Sequence, residues 1–121
     1  MNITSTFRSL FGGRYKSEKE GLREYNTNSF KDKAIVCERE GRYDYAIKFL
    51  KAAIKEEKDI ENLLEVRYKI ARFYHKKLKQ PQKAINEYKI VSNIAPKGHP
   101  FRRDAHEGIK ELSQLTPSHV N

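Results

Sequence analysis

A chain of 121 residues that is 37% hydrophobic and 34% charged can bury one modest core and has no room for a second. Its formal charge of +9 favours acidic partners, namely nucleic acid, an anionic membrane or an acidic protein, although a solubilising basic surface would give the same composition. No stretch approaches the roughly 18 apolar residues of a membrane span, and the first residues lack the continuous apolar run of a secretory signal.

The charge is uneven. Residues 67–103 hold 11 Lys and Arg against one acid, Glu87, whereas residues 27–60 balance 8 basic against 7 acidic side chains. The single cysteine, Cys37, allows no internal disulfide and suits a reducing compartment such as the cytoplasm. On the apolar side of a predicted helix it is a small buried hydrophobe rather than a nucleophile.

In chain order, residues 1–26 form an N-terminal segment of their own. Ile3, Phe7, Leu10 and Phe11 fall at i, i+4, i+7 and i+8, one face of a short helix that Gly12–Gly13 ends. Such a helix is marginal alone and must dock on its own fold, a partner, a second copy or a membrane surface. The acid-free composition of residues 1–16 also faintly resembles an organellar transit segment. Ser17 and Glu20 have capping-box spacing for a second short helix carrying Leu22 and Tyr25.

Residues 27–115 then read as a helical domain. The first helix spans about 30–40, entered from Ser29, with Phe30, Ala34 and Cys37 inward and a stop at Gly41. The second, about 44–57, carries Ala46, Ile47, Leu50, Ala53 and Ile54. The third runs about 60–78 from an Asp59 cap, with Leu63, Val66, Ile70, Ala71, Tyr74 and Leu78 as its stripe. The fourth opens at Pro81 and uses Ala84, Ile85, Tyr88, Val91 and Ile94 before Pro96. After the Gly98-His99-Pro100 break, a fifth helix repeats Phe101, Ala105, Ile109, Leu112 and Leu115 on one face. Residues 116–121 are a polar tail. Nothing alternates with period two, so no sheet is expected.

Aligning Ala46 with Ala84 brings two units into register. Phe30-x-x-Lys33-Ala34-x-x-Cys37 leads by nine residues to Ala46-x-x-x-Leu50-x-x-Ala53. Arg67-x-x-Ile70-Ala71-x-x-Tyr74 leads by ten to Ala84-x-x-x-Tyr88-x-x-Val91, with Pro96 eight beyond Tyr88. Together with the Gly41-Arg42-Tyr43-Asp44-Tyr45-Ala46-Ile47 turn, this pattern resembles the tetratricopeptide repeat. Small residues at Ala34, Ala46, Ala71 and Ala84 permit close helix crossings. The offset of 38 residues exceeds the family's usual 34, and Lys33, Arg67 and Lys58 stand where the family prefers Leu, Trp and Pro. The expected fold is all-α: a short α-solenoid of two tetratricopeptide-like helix–turn–helix repeats plus a C-terminal capping helix. Other amphipathic helical bundles satisfy part of the same pattern.

No phosphate loop, zinc spacing or H-E-x-x-H pair occurs, and His75, His99, His106 and His119 are not spaced as metal ligands. Neither catalysis nor a cofactor or metal is expected. The resemblance instead implies a concave groove lined by the first helix of each pair. Its candidates are Lys31, Ile35, Glu38 and Arg39 from the first unit, and Tyr68, Arg72, His75 and Lys76 from the second, extended by Arg102 and Arg103. Ile35 and Arg72 occupy places where the family's carboxylate clamp uses asparagine, so chaperone-tail binding is not expected. Arg72, Lys76, Arg102 and Arg103 are expected to converge, a set suited to carboxylates or phosphates. The leading expectation is a cytoplasmic adaptor holding an acidic or amphipathic protein segment. Nucleic-acid binding through residues 67–103, with Tyr68 as the stacking aromatic, and a structural homo-oligomer are the alternatives.

Overall fold

The computed structural model describes residues 29–115; the Ile3, Phe7, Leu10 and Phe11 stripe, the Ser17–Glu20 cap and the tail lie outside the described residues. Among those described, the protein is all-helical. Helix α1 is Phe30–Arg39, α2 Tyr43–Glu56, α3 Ile60–Arg72, continued by a π-helical turn Phe73–Lys77, α4 Pro81–Ile94 and α5 Pro100–Leu115. The chain divides into two compact units, one ending at Lys55 and one beginning at Glu56, so the division falls between the two hairpins.

In the first unit, the Ser29 hydroxyl accepts the Asp32 N–H at 3.2 Å and so satisfies one of the free donors that every helix start leaves. The α1–α2 corner is made at Gly41, whose φ of +75° is open to glycine at little steric cost. Ala34, Cys37, Ala46, Ile47 and Leu50 are buried. Ala53 and Ile54, expected in the same stripe, are only half-buried. Phe30 and Phe49 stack at 6.5 Å, and the Lys33 ammonium lies 5.2 Å from the Phe30 ring centre. Lys33 therefore contributes a cation over aromatic rings at the position where the tetratricopeptide pattern prefers Leu. Burial pushes the Cys37 thiol up to about 11, leaving roughly one thiolate per thousand molecules near pH 8. Iodoacetamide should accordingly label Cys37 at least about a hundredfold more slowly than in the urea-unfolded chain; comparable rates by mass spectrometry would contradict its burial.

In the second unit, Asp59 caps α3 by accepting the Asn62 N–H at 3.0 Å, and Pro81 occupies the first turn of α4. The long third helix expected from the sequence is not uniform. Beyond Arg72 the backbone widens, and the Leu78 N–H reaches back to the Phe73 carbonyl at 2.9 Å, five residues away. The run then ends with Lys79 in the left-handed region, φ 53°. The buried stripe is also wider than expected: Leu64 and three successive residues, Phe73, Tyr74 and His75, are buried with Val66, Ile70 and Ala71.

Contacts along the chain set the helix directions. Arg67 meets Glu87 while Tyr74 lies under Lys83, so α3 and α4 are antiparallel. Ser92 meets His106 and Arg102 reaches the Ala95 carbonyl, so α4 and α5 are antiparallel too. Glu61 meets His99 and His75 meets Glu111, so α5 runs alongside α3 in the same direction. The face that α5 buries centres on Ala105, Gly108 and Leu112. Ile109 is half-buried and Leu115 is 68% exposed, so the expected stripe is rotated toward its small residues. Small residues win because Gly108 packs directly on the Tyr88 ring.

Candidate functional site

The expected convergence of Arg72, Lys76, Arg102 and Arg103 does not occur. Lys76 pairs with Glu111 near the end of α5, whereas Arg103 precedes Glu111 by eight residues on that helix, a separation of about 12 Å along the axis. The second unit instead offers two separate clefts. One, of about 320 Å³, is lined by His75, Lys76, Lys79, Glu111, Leu112 and Leu115 among others. The other, of about 410 Å³, sits at the start of α5 and is lined by Gly98, His99, Pro100, Arg102, Arg103 and His106.

The second cleft is basic by construction. His99 turns its Nδ1 to accept the Phe101 N–H at 3.0 Å, so its Nε2 carries the hydrogen and donates to Glu61 at 3.0 Å. This bond anchors the turn that opens α5. Half-buried Arg102 gives one N–H to the Ala95 carbonyl at 3.3 Å and keeps the rest of its fork. The Arg103 side chain is 77% exposed, loosely placed 3.6 Å from Asp104. His106 closes the wall, 2.6 Å from Ser92 Oγ. No acidic side chain lines this cleft.

Elsewhere the imbalance of residues 67–103 is tempered by acids from outside that stretch. Glu111 lies against Lys76 at 3.3 Å, which holds its carboxyl below the usual carboxylate range. Glu87, the stretch's own acid, is buried against Arg67 at 3.4 Å. Sequence spacing carried no sign that Glu111 would face Lys76, because that pairing joins different helices.

Two expected groove residues turn out to be packed. Tyr68 stacks on Phe101 at 4.9 Å with the planes 14° apart and meets Tyr88 at a tilt, 5.9 Å between ring centres. Its face is therefore already occupied, and it does not stand out as a free stacking platform. His75 is 6% exposed, bonded to Tyr88 and Glu111, and lies inside the fold rather than on a surface. Lys31, Ile35, Glu38 and Arg39 belong to α1 in the first unit, where Ile35 is 40% exposed. No group of three His, Cys, Asp or Glu side chains among the described residues could hold a metal ion. No helix among them is long and apolar enough to cross a membrane. Comparison with protein-family models, curated proteins and solved structures finds no significant match to this chain.

Proposed function

We propose that this chain is a non-catalytic interaction module of tetratricopeptide type, holding an acidic segment of a partner protein. The observation that carries the proposal is the cleft walled by His99, Arg102, Arg103 and His106 with no acid among its lining residues. Two arginines lining one cleft suit carboxylates, which each fork can grip through paired N–H bonds. The helix directions are consistent with the repeat reading: α3 and α4 act as one hairpin, and α5 follows α3 as the first helix of a next repeat would. The packing of Tyr68 against Phe101 weighs against base stacking and hence against single-stranded nucleic acid.

Two double variants separate these readings. Reversing Arg102 and Arg103 to Glu is expected to weaken binding of acidic peptides by about 2 kcal/mol, roughly thirtyfold. Reversing Lys83 and Lys89, exposed on α4, should leave it nearly unchanged. The measurement is titration of glutamate- and aspartate-rich peptides, and of random single- and double-stranded oligonucleotides, at two salt concentrations. Equal losses from both pairs, with oligonucleotide binding that collapses in salt, would replace the adaptor with a nucleic-acid binder.

A further inference from the structure

All three histidines among the described residues touch α5 or the turn that opens it. His99 meets Glu61 and His106 meets Ser92, but only His75 is buried, and both its ring nitrogens are engaged. Its Nδ1 lies 2.8 Å from the hydroxyl of fully buried Tyr88, and its Nε2 lies 3.2 Å from a Glu111 oxygen. The Arg72 guanidinium lies close to the same hydroxyl. An ionised Glu111 only accepts, so the neutral ring carries its hydrogen on Nε2 and gives it to Glu111. Nδ1 is then the acceptor and takes the Tyr88 hydrogen, while Glu111 also accepts from Lys76 at 3.3 Å. The chain Tyr88, His75, Glu111 thus runs in one direction from α4 through the π-helical turn to α5.

We infer that His75 is an acid-sensitive latch on α5: neutral, it completes this chain; protonated, it breaks the Tyr88 link and loosens the C-terminal half of the helix. A second proton on Nδ1 would face the Tyr88 hydroxyl, which would then have to give up its bond to the ring and turn its own hydrogen into the core. The charged groups facing the ring are Arg72 and Lys76 on its own run and Glu111 on α5, with Tyr88 the facing group from α4. Two cations thus oppose one half-exposed carboxylate. The cleft of about 320 Å³ beside His75 gives a charged ring a way out to water. Its direction agrees: burial first, then Lys76, holds the His75 pKa below its ordinary 6.5. A depressed histidine contributes its full stability above 6.5 and loses it as pH falls below that value, down through its folded pKa. Glu111, itself held low by Lys76, stays ionised through this window.

The test is amide hydrogen exchange of residues 104–115 in the full chain, corrected for intrinsic rates, between about pH 7.5 and about pH 5, with the His75 ring titrated by NMR in the same sample. Exchange of this segment should rise about tenfold or more across the window, in step with His75. His75→Gln should flatten the rise, while His99→Gln and His106→Gln should retain it. A rise that survives in His75→Gln, or that disappears only in the His99 or His106 variant, would overturn the latch. Should His75→Gln fail to fold, the parent still decides: His75 titrating at or above 6.5, or exchange that does not follow its titration, rejects the proposal.

Discussion

Gly108→Ala is expected to destabilise the protein by about 2 kcal/mol or more, against the usual benefit of alanine in a helix. A Cβ at Gly108 would sit 2.5, 2.6 and 2.9 Å from the Cε2, Cζ and Cδ2 atoms of Tyr88. Real Cβ atoms do not approach carbons so closely, so the ring or the helix has to move. The ring is poorly placed to move: Tyr88 is fully buried, with Tyr68 at 5.9 Å and the His75 ring edge-on at 5.8 Å. Its hydroxyl is also held by His75. The gain in helix propensity, about 1 kcal/mol, is smaller than the cost of prising α5 from α4. Urea denaturation of Gly108→Ala measures the net effect. Repeating the substitution in a Tyr88→Leu background should recover at least about 1 kcal/mol of coupling, since the opposing ring is then gone. A variant as stable as the parent would show that α5 does not pack on Tyr88 as described.

Ala84→Leu and Ala46→Leu are each expected to cost about 1–3 kcal/mol. Both alanines are 0% exposed, and both sit one turn before a fully or nearly buried larger residue, Tyr88 and Leu50 respectively. Adding three carbons at a close crossing leaves no rotamer that avoids the partner helix, so the hairpin has to open. Thermal melts of the two variants measure the effect, one variant in each of the two units. If both melt within about a degree of the parent, the register that pairs Ala46 with Ala84 is wrong.

The local signals in the sequence located the helices well. Ser29 and Asp59 were legible as caps because a short polar side chain before an apolar period is the cheapest way to satisfy free N–H groups, and both do so here. Gly41, Pro81 and the buried alanines were legible for the same reason: each answers to backbone geometry or to its own helix's periodicity. The π-helical turn after Arg72 was not, since widening a helix depends on what packs against it. The candidate site was legible only as a list of cations. Arg102 and Arg103 line a basic cleft, but Lys76 is drawn to Glu111 and His75 is enclosed by Tyr88 and Glu111. Those outcomes join residues 13 to 36 positions apart, on helices whose rotation is set by where small side chains allow close approach. Gly108 turned α5 toward Tyr88, and that turn decided which of its charges meet α3 and which stay open to a partner. Periodicity measures the face a helix shows its own axis; only packing decides what stands opposite.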